Sequence, residues 1–188
     1  ALTTYNQDPT GNKAKLAEAV QKIDQAFQTP EVKADASAWL LRGDIYNRRL
    51  DSDITARVLN PQAPFTGDND ALLAYEAYKN AYDNPTAKKY EKADALKGIQ
   101  TVQGSLINIG GAKYENKDYE KAYLSYEASI QAHNVIATAK GQSVLEDPSI
   151  LNDQKYFTAV IAAMAKRCKD AVPYLEELVK LDSAKAYE

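Results

Sequence analysis

The sequence predicts an all-α fold built from pairs of helices. Apolar residues recur at steps of three and four along nearly the whole chain, and no segment alternates with a period of two for long enough to form a strand. A fixed spacing of small and bulky residues also returns along the chain, which indicates internal repeats. With 188 residues, 45% of them hydrophobic, we expect a single helical repeat domain over residues 1–188.

The first half of the chain predicts three helices and one inserted loop. Residues 14–30 form the first helix, which Pro30 ends because proline cannot donate a helical hydrogen bond. Residues 35–85 hold two partner helices, and Pro85 ends the second of them. Between them lies 49–70, which is rich in proline, aspartate and asparagine and which we interpret as an inserted loop.

The second half predicts four or five further helices. Residues 87–114 form one elongated helix or two helices broken near Gly98 or Gly104, and residues 118–139 form the next. A loop follows at 141–149. Two helices, at 151–167 and 169–181, close the chain.

One spacing motif occurs twice in register. Ala19-x3-Ile23-x2-Ala26-x3-Pro30 matches Ala74-x3-Tyr78-x2-Ala81-x3-Pro85, and a third copy begins at Ala122 with Tyr126 as its bulky residue. Small residues at the first and third positions let a neighbouring helix approach closely, and the bulky residue between them fills the remaining gap. The motif therefore predicts helices that a neighbouring helix can approach closely.

These residues resemble the tetratricopeptide repeat family. Its first helix carries W-x2-L-G-x2-Y and its second carries A-x3-F-x2-A followed by proline. Trp39, Gly43 and Tyr46 keep the first-helix spacing, with Arg42 in place of leucine. The other matching positions are Ala74, Tyr78, Ala81 and Pro85, then Leu106, Ile109, Gly110, Ala122 and Tyr126, with a degenerate third copy at Ala159 and Ala162.

The resemblance implies a right-handed superhelical solenoid of antiparallel helix pairs. Residues 14–30 would be an unpaired helix, and 35–85 a repeat that carries the insertion 49–70. Residues 87–139 would be a second repeat with an elongated first helix, and 151–182 a degenerate third repeat. Because the terminal helices lack regular partners, we expect either a fragment of a longer array or a domain capped by irregular helices.

The resemblance also implies a concave groove, lined by the first helix of each pair, that binds a peptide or protein partner. The positions that would face it are Leu40, Asp44, Asn47, Arg48, Ile107, Gly111, Tyr114, Tyr156, Val160 and Ala163. Family members that hold a peptide's terminal carboxylate use lysine and asparagine where Leu40 and Asp44 stand here. We therefore expect a partly apolar helix or an extended peptide as the ligand.

The resulting functional hypothesis is macromolecular recognition without catalysis, as an adaptor or scaffold. The alternative is an exported protein that binds a glycan or small molecule, with some of the 13 tyrosines as stacking platforms. The repeat style also resembles irregular repeat proteins exported by Bacteroidetes-like bacteria, which would imply a periplasmic or external location. The sequence leaves the partner, the compartment and the oligomeric state open.

Catalytic and metal-binding groups are scarce. His133 and Cys168 are the only histidine and cysteine, so neither a zinc site nor an internal disulfide can be assembled from such residues. Asp51-Ser52-Asp53 and Gly67-Asp68-Asn69-Asp70 do not fit the calcium-loop spacing, and we expect Asp68, Asn69 or Asp70 to cap the following helix. Gly110-Gly111 follows a helix, not a strand, which argues against a nucleotide loop. We therefore predict no catalytic residue, no metal and no cofactor.

The charge and hydropathy of the chain argue against nucleic acid as a partner and against insertion into a membrane. A formal net charge of −3, with lysine and arginine scattered along the chain, gives no attraction to nucleic acid. The longest apolar run, Tyr156 to Met164, is far short of the roughly 18 residues that cross a bilayer, so we predict no membrane insertion. The insertion 49–70 could reach over the groove as a lid anchored by Phe65, or it could be a surface elaboration.

Overall fold

A computed structural model describes residues 2–7, 13–60, 62, 63 and 65–185, and every regular element in these ranges is a helix. The all-α prediction is therefore confirmed for this part of the chain. The helices are α1 (Leu2–Gln7), α2 (Lys13–Ala26), α3 (Pro30–Ala34), α4 (Ala36–Leu59), α5 (Asp70–Asp83), α6 (Lys89–Glu115), α7 (Tyr119–Thr138), α8 (Pro148–Met164) and α9 (Cys168–Lys185). None of these helices is long and apolar enough to cross a membrane.

One predicted boundary, at Pro30, differs from the structure, and the elongated single helix predicted as one of two alternatives for 87–114 is found. Pro30 does not end α2, which stops at Ala26, but begins α3, where its missing N–H costs nothing because the first turn lacks acceptors anyway. α6 runs unbroken through Gly98 and Gly104, since isolated glycines weaken a helix without breaking it.

The inserted loop is shorter than predicted. α4 continues to Leu59, so the prediction that 49–70 is non-helical is wrong for its first half. Residues 49–59 contain neither proline nor glycine, and nothing in them stops a helix that is already formed. The connection to α5 begins only at Asn60, directly before the first proline of the segment.

Hydrogen bonds and a cation–π contact hold the described part of this connection against the last two turns of α4. The Asp53 carboxylate accepts hydrogen bonds from the backbone N–H groups of Thr66 (2.6 Å) and Gly67 (2.8 Å) and from the Thr66 hydroxyl (3.0 Å). The Arg57 guanidinium lies over the Phe65 ring, 4.8 Å from its centroid. Phe65 therefore packs against Arg57 of α4, and both residues belong to the segment 49–70 that was predicted as an insertion.

The chain divides into two compact units, Ala1–Val102 and Gln103–Glu188. In unit 1, α4 packs against both α5 and α2. Its core contains the apolar faces that the periodicity predicted, together with the part of α6 that belongs to this unit. The buried members include Leu16, Ala19, Val20, Ile23, Phe27, Ile45, Tyr46, Leu50, Ala74, Tyr75, Tyr78, Ala81, Ala95 and Ile99.

The Tyr78 ring lies between two glycines on different helices. A Cβ atom added to Gly43 on α4 would lie 2.6 Å from the ring, and one added to Gly98 on α6 would lie 2.5 Å from it. Real Cβ atoms do not approach so closely, so both helices can pack on this ring only because each presents a bare backbone. The Tyr78 hydroxyl donates to Asp44 Oδ1 at 2.9 Å, which holds the ring in place.

An ion pair joins the middle of α4 to the first residue of α5. Arg49 donates from Nε to Asp70 Oδ2 and from Nη2 to Asp70 Oδ1, both at 2.6 Å, and Asp70 is 1% exposed. Burial raises the pKa of Asp70 even though the guanidinium opposes that shift. Asp70 was one of three residues expected to cap α5, but its carboxylate serves Arg49, and the residue before the helix, Asn69, makes no side-chain cap.

Unit 2 is organised around α8, which packs against α7 on one side and α9 on the other. Its main cluster of buried residues is Ala122, Tyr123, Tyr126, Ala159, Ile161, Ala162 and Ala171. The Tyr126 ring meets Gly110 of α6, where an added Cβ would lie 3.1 Å away. Unit 2 therefore repeats the glycine-to-tyrosine contact of unit 1 with a looser fit.

We expect Gly43→Ala and Gly98→Ala each to lower the free energy of unfolding by about 1–2 kcal/mol. The added methyl group must displace the Tyr78 ring, and this overpacking outweighs the gain in helix propensity. Gly104→Ala on α6 is the matched control, because its Cβ would meet nothing within 4 Å. It should stabilise by about 0.5–1 kcal/mol in urea denaturation. Stabilisation by all three substitutions would contradict the packing account.

We expect Arg49→Met to lower the free energy of unfolding by about 3 kcal/mol, because it leaves the buried Asp70 carboxylate without its partner. The double variant Arg49→Met/Asp70→Leu should recover most of this loss, since it removes both charges. Equal losses in the single and double variants would show that the guanidinium stabilises the segment in some way other than pairing with Asp70.

Candidate functional site

In unit 1 the residues predicted to face a groove share one side of α4. Leu40, Asp44, Asn47 and Arg48 follow the steps of three and four that align residues along a helix. Leu40 and Asn47 are half-buried, whereas Asp44 and Arg48 are exposed. Asp44 has a structural role as well, because it accepts the hydrogen bond of Tyr78.

The charge on this face of α4 is mainly negative. Burial raises the pKa of Asp44, and the nearby charge of Asp94 adds to the effect while Arg48 opposes it. Burial also raises the pKa of Asp51, again against the charge of Arg48. This face of α4 thus carries two carboxylates, Asp44 and Asp51, and one guanidinium, Arg48.

In unit 2 a cleft of about 260 Å³ opens between α6 and α8. Ile107 of α6 forms one wall, α8 forms the other, and Tyr126 of α7 lies beneath. The α8 residues lie at positions i, i+3, i+4 and i+7, so they share one helix face: Ile150, Asp153, Gln154 and Phe157. The cleft combines apolar walls, an aromatic ring, one carboxylate and one amide.

The predicted groove residues of α6 lie in and beside this cleft. Ile107 lines it. Gly111 leaves room for the Tyr126 hydroxyl, which would be 3.4 Å from a Cβ at that position. Tyr114 is partly exposed and packs against Tyr119, with ring centroids 5.9 Å apart.

The predicted groove residues of α8 are exposed but do not line the cleft. Tyr156 is 56% exposed, and Val160 and Ala163 are exposed as well. Phe157, which does line the cleft, is 50% exposed, and Met164 is exposed one turn beyond Val160. α8 thus carries a largely apolar exposed strip next to the cleft.

The Gln154 side chain is poorly satisfied. Its Nε2 is buried and has no hydrogen-bond partner, and it is the one such side-chain atom among the described residues. A buried amide donor without a partner is costly, and most proteins avoid it. Rotation of the amide would let it bond a group placed in the cleft.

A second cleft, of about 430 Å³, lies in unit 1 between α2, α4 and α5. Arg42 stands at its centre, 3.0 Å from Asp24 and stacked over the rings of Phe27 (4.6 Å) and Tyr46 (5.3 Å). The Tyr46 hydroxyl donates to Asp24 at 2.6 Å, and burial followed by this bond raises the pKa of Tyr46 to about 12. These three polar groups satisfy one another, and the side chains of Lys33, Glu76 and Asn80 line the cleft as well.

His133 belongs to a hydrogen-bond network, whereas Cys168 is exposed. His133 is half-buried, and its Nδ1 lies 2.9 Å from the Ser143 hydroxyl. Ser143 also bonds the fully buried Gln103, which donates to it at 2.9 Å and accepts from it at 3.1 Å. This network pins the loop between α7 and α8 to α6.

The structure brings together residues that the sequence did not single out as a site. Tyr126 was recognised as a packing residue, and only Ile107 of the cleft was expected in a groove. The spacing of Ile150, Gln154 and Phe157 could have indicated a binding surface. It places two bulky apolar residues and an amide on one helix face, and a fully buried face would rarely include the amide. Among the described residues, no group of three or more histidine, cysteine, aspartate or glutamate side chains is placed to hold a metal ion.

No family model matches this chain, and comparisons with characterised proteins and with solved structures find no similar protein. The geometry of the chain itself is therefore the basis for any functional proposal.

We expect mild acid to destabilise the fold through His133. Burial and the charge of Lys155 lower its pKa, so the unfolded chain binds a proton near pH 6.5 while the folded chain binds it only at lower pH. Stability is therefore full above the unfolded pKa and falls by up to about 1.4 kcal/mol per pH unit below it. Urea denaturation at about pH 8 and about pH 5.5 should show a larger loss for the wild type than for His133→Gln. Equal losses would exclude this residue as the cause.

Proposed function

We propose that this chain is a tetratricopeptide-like solenoid of antiparallel helix pairs that binds a peptide segment of a partner protein and catalyses no reaction. The cleft between α6 and α8 carries this proposal. It joins an aromatic floor to apolar walls and leaves the Gln154 amide nitrogen without a partner. Such a combination suits a protein side chain together with the backbone next to it.

The glycine-to-tyrosine contacts support the helix-pair architecture. In the family pattern a glycine of the first helix and a bulky residue of the second stand at fixed positions. Gly43 meets Tyr78 and Gly110 meets Tyr126, so both spacing matches correspond to packing contacts. Each contact brings the helices of one proposed pair close together.

The size of the cleft favours a side chain over a whole small molecule. Sites for small molecules usually enclose about 300–1,000 Å³, and this cleft is smaller. The apolar strip of Tyr156, Val160 and Met164 lies beside it on the same helix. A peptide could bury one side chain in the cleft and lay neighbouring residues on the strip.

Glycan binding is the second candidate, supported by the exposed rings of Tyr114, Tyr156 and Phe157. Sugars stack on open aromatic faces and need several convergent polar groups around them. Beside these rings, the exposed Val160 and Met164 side chains offer no hydrogen-bonding group to a sugar. In unit 1, where polar groups do converge, Phe27 is 3% and Tyr46 is 2% exposed, and Arg42 covers both rings.

We expect a random dodecapeptide display library to yield peptides that bind the full chain through this cleft. Phe157→Ala should weaken the selected peptides about tenfold, because it removes half-exposed apolar surface from one wall. Val172→Ala is the matched control, since Val172 is similarly exposed on α9 but does not line the cleft. No enrichment of peptides, or equal weakening by both variants, would refute peptide binding at this site.

A further inference from the structure

We propose that the cleft in unit 2 selects a basic segment, in which a bulky apolar side chain lies on Tyr126 and a neighbouring lysine or arginine pairs with Asp153. This inference rests on the proposed peptide-binding function and specifies its ligand. It follows from the charges around the cleft, from the shape of its floor and from the Gln154 amide.

The charge that lines the cleft is negative. Asp153 is the one charged residue among the described lining residues. Lys155, two positions along α8, belongs to a different face and is paired with Glu177 of α9, so it does not neutralise Asp153. A ligand cation would meet an exposed carboxylate with no competing cation in the lining.

A second carboxylate acts on the floor of the cleft. Burial raises the pKa of Tyr126, and the charge of Glu115 is the next cause, followed by Tyr114. Gly111 faces the Tyr126 hydroxyl, which would lie 3.4 Å from a Cβ at that position, and the exposed Glu115 follows one helical turn later on α6. The hydroxyl end of the floor is thus negative as well, which extends the cation preference beyond Asp153.

The remaining features select the apolar part of the ligand. Ile107, Ile150 and Phe157 offer aliphatic and aromatic surface above the Tyr126 ring. The Gln154 Nε2 can donate to a backbone carbonyl of a segment whose side chain enters the cleft, which would satisfy this unpaired nitrogen.

An acidic or phosphorylated segment fits these observations poorly. Its charge would meet Asp153 and Glu115 with no lining cation to balance them, and like charges brought together oppose binding. A purely apolar segment would leave the Asp153 carboxylate partly desolvated and without a partner. A segment that combines apolar and basic residues avoids both penalties.

The test is a selection from the random dodecapeptide library against the full chain and two variants. Asp153→Lys reverses the charge of the lining, and Glu176→Lys makes the same change at an exposed residue of α9 that does not line the cleft. Wild type and Glu176→Lys should enrich peptides with a lysine or arginine within a few positions of a bulky apolar residue. Asp153→Lys should lose that preference and bind the selected basic peptides about tenfold more weakly, with the difference reduced at high salt.

The outcomes separate the two proposals. Enriched peptides without a basic preference, or with one that Asp153→Lys leaves unchanged, would overturn the present inference while peptide binding stands. Failure to enrich any peptide would overturn peptide binding, and the inference with it. A synthetic peptide from the selection, with its basic residue replaced by alanine, should bind the wild type about threefold more weakly. Unchanged affinity of that peptide would overturn the inference.

Discussion

The contact of one tyrosine ring with two bare helix backbones constrains most of unit 1. Tyr78 lies between Gly43 of α4 and Gly98 of α6, and its hydroxyl is held by Asp44. Because the ring fills the space that two Cβ atoms would otherwise occupy, the spacing of three helices depends on it. In unit 2 the ring of Tyr126 contacts Gly110 of α6, belongs to the buried cluster and also lines the cleft. The tyrosine that packs two helices together in unit 2, Tyr126, thus also forms the floor of the candidate binding site.

The polar groups of both units are arranged around these rings. In unit 1, Asp24, Arg42 and Tyr46 interact with one another inside the cleft. In unit 2 the hydrogen bonds among Gln103, Ser143 and His133 hold the loop that leads into α8, and α8 forms one wall of the cleft. On that wall the buried Gln154 Nε2 has no hydrogen-bond partner. This unsatisfied donor is the reason that the cleft in unit 2 is our candidate for binding.

The sequence predicted the local features of this fold better than the distant ones. Apolar periodicity located the main helices, and the spacing of glycine and tyrosine pointed to Tyr78 and Tyr126, because both signals are local. The length of α4 was underestimated because the prolines that follow its last residue were taken to mark a loop starting at residue 49, whereas the helix continues to Leu59. The pairing of Arg49 with Asp70 and the placement of α8 beside α6 join residues more than 20 positions apart, and no local pattern encodes such contacts. For the same reason the cleft residues of α8 escaped prediction.

The central claim is that the cleft over Tyr126 is where a partner peptide binds. The most direct measurement is an NMR titration of the full chain with a library-selected peptide, following the methyl groups of Ile107 and Ile150 and the rings of Tyr126 and Phe157. The account predicts that these signals shift first and most strongly. Shifts confined to α9, or to the cleft around Arg42 in unit 1, would contradict it.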